Sequence, residues 1–281
     1  MKVAAFSDVQ ANLPALQETI EQVRAWGPDL VVMAGDLVNR GPDSLGCLEL
    51  FAEQQAADGW LAVNGNHEEW LLRCGREPPR SEGDRQIRRF ADWAWQQVAP
   101  RAELLRGWPD HLTFHPPGAD AWVHVTHGTM ASNRDGISPS VTDESLVGKL
   151  PADIALFVTG HTHKPHQRRT QGIDIVNCGS AGSSFDGDPR ASYARLTWHG
   201  GRWTSEIVRF DYDRERAARD FEESGFLDQG PLARLVYLEW QRAEVLMGGW
   251  RKRFEPAVAA GEVGLAESVE HYLGERGLSL P

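Results

Sequence analysis

The sequence predicts an α/β fold built on a largely parallel sheet, with its functional residues gathered at one edge. Two observations carry this. Short apolar runs alternate with helical patterns near the start of the chain, and six such runs end in small or polar residues. Runs of four or five apolar residues bounded by Gly and turn formers read as buried strands. Strand–helix alternation places neighbouring strands parallel under covering helices, and sites in such sheets form beyond the carboxyl ends of the strands.

The six runs are Val3–Phe6, Leu30–Ala34, Trp60–Val63, Trp122–Thr126, Ala155–Thr159 and Ile173–Val176. They end respectively at Ser7-Asp8, Gly35-Asp36, Asn64-Gly65-Asn66-His67, His127-Gly128, Gly160-His161-Thr162-His163 and Asn177-Cys178-Gly179-Ser180. Between the first three lie two helical patterns. Leu13, Leu16, Ile20 and Val23 recur at spacings of three and four behind Pro14, and Leu45, Leu48 and Phe51 follow Pro42-Asp43-Ser44. Residues 70–115 read as a helical insertion near the mouth of the site. Tyr193–Trp198 and Trp203–Phe210 flank His199-Gly200-Gly201, a hairpin signal. Three helical pieces follow Asp213: Ala217–Phe221, Leu232–Met247 and Val263–Leu273, with Gly-rich breaks at 248–249 and 274–277. The expected division is a main domain over 1–212 and a helical extension over 213–281, packed on it.

Composition narrows the function. The chain of 281 residues carries a formal net charge of −11, which disfavours a long nucleic acid as partner. No apolar run approaches the roughly 18 residues of a membrane span. Asp8 arrives too early for a signal peptide, so a cytoplasmic location is expected. Three widely spaced cysteines (Cys47, Cys74, Cys178) suit a reducing compartment and offer no thiolate metal site.

The strand ends supply Asp8, Gln10, Asp36, Asn66, His127, His161 and His163. Carboxylate, amide and imidazole donors without thiolate suit Mn, Fe or Zn. One ion does not need seven donors from five segments, whereas two ions sharing a bridging carboxylate do. Singly, each residue has an ordinary reading as a turn or cap; the ordered set is what carries the metal centre. His124 lies three residues from His127, so strand alternation turns it to the opposite face. His166 is a candidate for the cleft wall. Eleven tryptophans include Trp93, Trp95, Trp108, Trp240 and Trp250 in the insertion and tail, read first as core and second as a stacking or dimer surface.

The motifs Asp8-Val9-Gln10, Gly35-Asp36, Gly65-Asn66-His67-Glu68, His127-Gly128 and Gly160-His161-Thr162-His163 resemble those of the calcineurin-like metallophosphoesterase family, in the family's order, from Met1 to Leu196. The stretch Asn177–Ser180 with Asp186–Arg190 is similar to its small bacterial phosphodiesterase-like subgroup. The resemblance implies a four-layer α/β/β/α sandwich and a two-metal centre. In it Asp36 bridges. Asp8, position 10 and His163 serve one ion; Asn66, His127 and His161 serve the other. It further implies a metal-bridging hydroxide as nucleophile, and His67 as general acid at the leaving oxygen. Glu68 stands where relatives often carry an Asp that orients this His. Arg40, in Gly35–Gly41, looks like the phosphate-contacting Arg of phosphoprotein phosphatases; a solvated turn is its other reading. Arg190 reads equally as a loop ion pair or a substrate contact. Gln10 departs from the family's usual His and predicts a weaker first site, biased toward Mn or Fe. The expected activity is phosphodiester hydrolysis on small or nucleotide-like substrates, with self-association through the C-terminal helices. The alternatives are a phosphomonoesterase or phosphoprotein phosphatase on the same residues, and a non-catalytic scaffold.

Overall fold

The computed structural model describes residues 1–281 and consists of two five-stranded sheets, helices and connecting loops. The first sheet runs β10-β9-β1-β2-β3, from β1 (Lys2–Phe6), β2 (Leu30–Met33), β3 (Leu61–Ala62), β9 (Ala191–His199) and β10 (Arg202–Phe210). The second runs β4-β5-β6-β8-β7, from β4 (His111–Phe114), β5 (Val123–Thr126), β6 (Leu156–Thr159), β7 (His166–Thr170) and β8 (Ile173–Asn177). The three central strands of the second sheet, β5, β6 and β8, are parallel, as are β1, β2 and β3 in the first; the remaining strands join antiparallel.

Side-chain alternation explains the layers. In β1, Val3 and Ala5 face a core shared with Val123, Val125, Leu156, Val158 and Val176 of the second sheet. Ala4 and Phe6 face the other way, into a 47-residue core with the helices. That core is one body. It runs from α1 (Leu13–Trp26), α2 (Ser44–Asp58) and α4 (Glu82–Val98) to the C-terminal helices α6 (Arg214–Glu223), α7 (Pro231–Arg242), α8 (Met247–Ala260) and α9 (Leu265–Gly274). The outer face of the second sheet, with Phe157, Ile173 and Ile175, is covered by Ile137 and Leu146 from a loop whose only helical turn is Glu144–Leu146.

Local chemistry sets the boundaries. Asn12 caps α1 through its side chain and Asp43 caps α2; Gly27 and Gly59 end them in left-handed conformation. The β9–β10 hairpin turns on Gly200 and Gly201, both at positive φ. Three segment readings need correction. The 70–115 stretch holds α3 (Asn66–Cys74) from its start, α4, and α5 (Ala102–Gly107), but its end is β4, an edge strand paired to β5. Leu232–Met247 is not one helix, because Ala243 takes φ +53° and breaks α7 from α8. Gly248 and Gly249 lie inside α8, where a side chain on Gly249 would strike Tyr272 Oη at 2.2 Å. Trp108, Trp240 and Trp250 are buried, so these rings are spent within the chain's own core. No helix is long and apolar enough to cross a membrane.

Candidate metal centre

The carboxyl ends of β1, β2, β5 and β6, with the N-terminus of α3, converge on one buried point between the sheets. Asp8, Gln10, Asp36, His161 and His163 all hold positive φ, from +55° to +66°. Non-glycine residues in this region cost roughly 1 kcal/mol or more each. Glycines admit the crowding: a Cβ on Gly65 would meet Asp36 Oδ1 at 2.1 Å, and one on Gly160 would meet Ser7 Oγ at 2.0 Å.

The donor atoms form two groups that share Asp36. One is Asp36, His127 and His161; the other is Asp8, Asp36 and His163. Around His127 Nε2 lie Asn66 Oδ1 at 3.1 Å, Asp36 Oδ2 at 3.2 Å and His161 Nδ1 at 3.3 Å. A single proton there serves one acceptor, whereas a cation serves all. The opposite nitrogen, His127 Nδ1, is 2.8 Å from the Ala34 carbonyl, and His163 Nδ1 meets the Ser183 carbonyl. Donation from Nδ1 to a carbonyl leaves Nε2 free to ligate, as metal-bound histidines commonly do. His163 Nε2 then stands 3.0 Å from Asp8 Oδ1, an oxygen that is buried without a hydrogen-bond partner. Gln10 donates from Nε2 to Asp36 Oδ2 at 3.2 Å, and its buried Oε1 is likewise unpartnered. Ligands about 2.0–2.2 Å from an ion stand about 3–3.5 Å apart, which is the spacing found here. The residues fit two ions.

Charge coupling in the cluster is strong. Burial opposes ionisation of Asp36, but the His127 and His67 imidazoles hold its carboxyl well below the usual range. Burial equally opposes a charge on His127, yet Asp36 and Asp8 raise it to about 10. An arriving ion therefore displaces a proton. Burial, reinforced by His127, drops His161 to about 4, leaving it neutral and ready to ligate.

His67 opens α3 beside the cluster, its Nε2 3.8 Å from Asp36 Oδ2. Burial lowers it to about 3, with Asp36 opposing only in part. Its Nδ1 is 2.9 Å from Asn39 Nδ2. Glu68, assigned from the resemblance to orienting His67, points elsewhere. Its two oxygens accept four backbone N–H groups, from Asp36, Leu37, Val38 and Gly65, at 2.8–3.2 Å. Glu68 shapes the loop that carries Asp36, and the residue against His67 is Asn39, an amide where an acid was expected. Glu68→Gln would turn an N–H₂ toward two of those donors. We expect a loss of roughly 3 kcal/mol, read as a fall in Tm of several degrees. An unchanged Tm would contradict this role.

Arg40, also at positive φ, pairs with the buried Glu239 of α7 and lies 5.8 Å over the Phe185 ring. It faces a cavity of about 350 Å³ lined also by Asp36, Asn66, His67, His161 and His163, so it is no solvated turn. Phe185 stacks on His163 at 4.1 Å. Arg190 pairs with Asp188 inside its own loop at 2.7 Å, the structural alternative. His124 faces away, stacked on Phe157. His166 begins β7 and does not line the cavity. Sequence reasoning did not single out Asn39, Phe185 or Glu239. Asn39 lies inside the Gly35–Gly41 run and was readable there; Glu239 sits 199 residues from Arg40 and carried no signal.

Comparison with known proteins gives a consistent assignment. The family model for calcineurin-like phosphoesterases matches residues 1–165. A symmetrical bis(5'-nucleosyl)-tetraphosphatase from Thioalkalivibrio sulfidiphilus is 40% identical over 122 residues, 42% of each chain. A serine/threonine-protein phosphatase 1 from Salmonella typhimurium is 56% identical over 45 residues, 16% of this chain and 18% of that one. The matches thus span less than half the length of these relatives. A metallophosphoesterase structure from Sphaerobacter thermophilus superposes with a TM-score of 0.67 at 24% identity, over 86% of this chain and 100% of that one, and so shares the fold. With more than half of its length matched by the family model and its strand ends bearing the family's motifs, the chain belongs to the calcineurin-like phosphoesterase family.

Proposed function

We propose that this protein hydrolyses phosphoesters of small, nucleotide-like substrates with the aid of two divalent ions. The observation that carries the reading is the sharing of one buried carboxylate, Asp36, by two ligand groups. Asp8, Gln10, Asp36 and His163 would hold one ion, and Asp36, Asn66, His127 and His161 the other. Bound there, two ions supply positive charge to phosphate oxygens and a water acidic enough to attack near neutral pH. The neutral amide of Gln10, in place of an imidazole, supports Mn or Fe over Zn.

The chain's own residues do the rest. Arg40 offers a fork of N–H donors suited to two phosphate oxygens. With the Asn39 amide donating to Nδ1, His67 carries its proton on Nε2, on the cluster side. Burial keeps this imidazole uncharged near neutral pH. It therefore acts chiefly by hydrogen bonding to the leaving oxygen, with full proton transfer developing only as that oxygen gains charge.

The cavity volume falls at the small end of small-molecule sites. Together with relatives named as tetraphosphatases, this supports a nucleotide-like substrate. A phosphoprotein phosphatase is the second reading, favoured by the short match to a protein phosphatase. A panel of diadenosine tetraphosphate, bis-p-nitrophenyl phosphate, p-nitrophenyl phosphate and a phosphoserine peptide, each with Mn, Fe, Zn and Mg, tests both. We expect the highest kcat/KM for the dinucleotide with Mn. A tenfold preference for the peptide would select the second reading, and no turnover anywhere would leave the scaffold alternative.

A further inference from the structure

Glu239 lies on α7, in the C-terminal helices, yet both of its carboxylate oxygens are engaged at the candidate active site. One oxygen pairs with the Arg40 guanidinium. The other accepts the backbone N–H of Leu246 at 2.5 Å and of Met247 at 2.6 Å, where α8 begins. Its side chain is 1% exposed, and that of Arg40 is 11% exposed. The same corner reaches the loop that carries Phe185, since Gly187 N–H donates to the Ala243 carbonyl at 3.0 Å. Glu239, Met247 and Arg251 line the same cavity as Asp36 and His67.

A free arginine side chain has many rotamers, and ordering it on a phosphate costs conformational entropy. A buried carboxylate that already holds one edge of the guanidinium removes that cost before substrate arrives and leaves its other N–H groups for phosphate oxygens. The same carboxylate fixes the start of α8, which supplies part of the cavity wall. We propose that Glu239 is a positioning residue for phosphate binding, and that through it the α7–α8 corner completes the substrate site. The proposal rests on the reading that Arg40 takes a substrate phosphate.

Glu239→Gln separates the two duties. Its carbonyl oxygen still accepts from Leu246 and Met247, while its N–H₂ no longer attracts the guanidinium. In the Mn-loaded protein we expect Kd for inorganic phosphate, by calorimetry, and KM for bis-p-nitrophenyl phosphate to rise about tenfold, with kcat changed less than about threefold. Arg40→Ala is expected to raise both about thirtyfold, and the double variant to be no worse than Arg40→Ala alone. Glu239→Asp, which keeps the charge but withdraws it by one bond, should fall between wild type and Glu239→Gln, and serves if Glu239→Gln does not fold. Additive losses in the double variant, or wild-type Kd and KM in a folded Glu239 variant beside a weakened Arg40→Ala, would overturn the proposal while leaving the proposed function standing. A wild-type protein that binds no phosphate and turns over no phosphoester would remove that function and this proposal together.

Discussion

Asp36→Asn is expected to lose metal retention and hydrolysis together. The substitution is nearly isosteric. Its amide oxygen can still accept the His67 N–H now held by Asp36 Oδ1 at 2.8 Å, so the start of α3 keeps its anchor. What goes is the charge common to both ligand groups. Asp36 is also the leading cause that raises His127, so the neighbouring imidazole loses its principal counter-charge as well. Removing even an outer partner of a metal ligand costs 10–100-fold in affinity, so loss of a shared ligand should exceed about 100-fold. Metal content after dialysis, and turnover with added Mn, read the two effects separately. Substoichiometric metal with turnover below about 1% of wild type is the expected result. Full activity would end the two-metal reading. Loss of activity with both ions still held would move Asp36 from ligation to some other part of the reaction.

The strand ends were legible because they obey two independent rules at once. An apolar run marks the strand, and the residue after it must turn, so a candidate ligand there stands out as an Asp or His where a Gly or Asn would be ordinary. Asp8, Asp36, His127 and His161 satisfy both. The edge strands of the second sheet, β4 and β7, did not announce themselves. β7 reads His166-Gln167-Arg168-Arg169-Thr170, polar on its exposed positions and paired only to β8, so hydropathy gave no pattern to find. β4 was hidden for a similar reason, with exposed residues alternating along the edge of its sheet. α8 was not read at all, and the end of the preceding helix was placed at Gly248-Gly249, the stronger turn signal in sequence. In the fold, a contact with Tyr272 explains the second glycine, and a buried Glu239 accepts the N–H groups of Leu246 and Met247 where α8 starts, so both glycines fall inside the helix. Local propensity lost to tertiary packing at that point. Contacts such as Arg40 with Glu239 are set by packing of the C-terminal helices on α1 and α4, and no local pattern encodes them.

His67→Ala should discriminate between leaving groups. An alkoxide must acquire a proton or a strong hydrogen bond as the P–O bond breaks, whereas nitrophenolate departs without one. General acid assistance contributes about 10²–10⁴-fold where it is needed. The variant is therefore expected to lose about 10²-fold or more in kcat on an alkyl phosphoester, and less than about tenfold on the matching p-nitrophenyl ester. Equal losses on both would undermine the assignment and make His67 a determinant of metal geometry, through its 3.8 Å approach to Asp36. Asn39 supplies the second arm. An amide 2.9 Å from Nδ1 fixes the ring without adding charge, which is why burial can hold the imidazole down at about 3. Asn39→Asp would place a carboxylate at that distance and raise the imidazole. The carboxylate would take the single proton of a neutral ring at Nδ1, so Nε2 would donate only from the imidazolium; kcat on the alkyl ester should therefore gain an alkaline limb at the raised pKa that the wild type, whose neutral ring donates from Nε2, lacks. The p-nitrophenyl profile should stay where it is. An alkyl-ester profile unchanged from wild type would show that Asn39 holds the ring in place without setting where its proton sits.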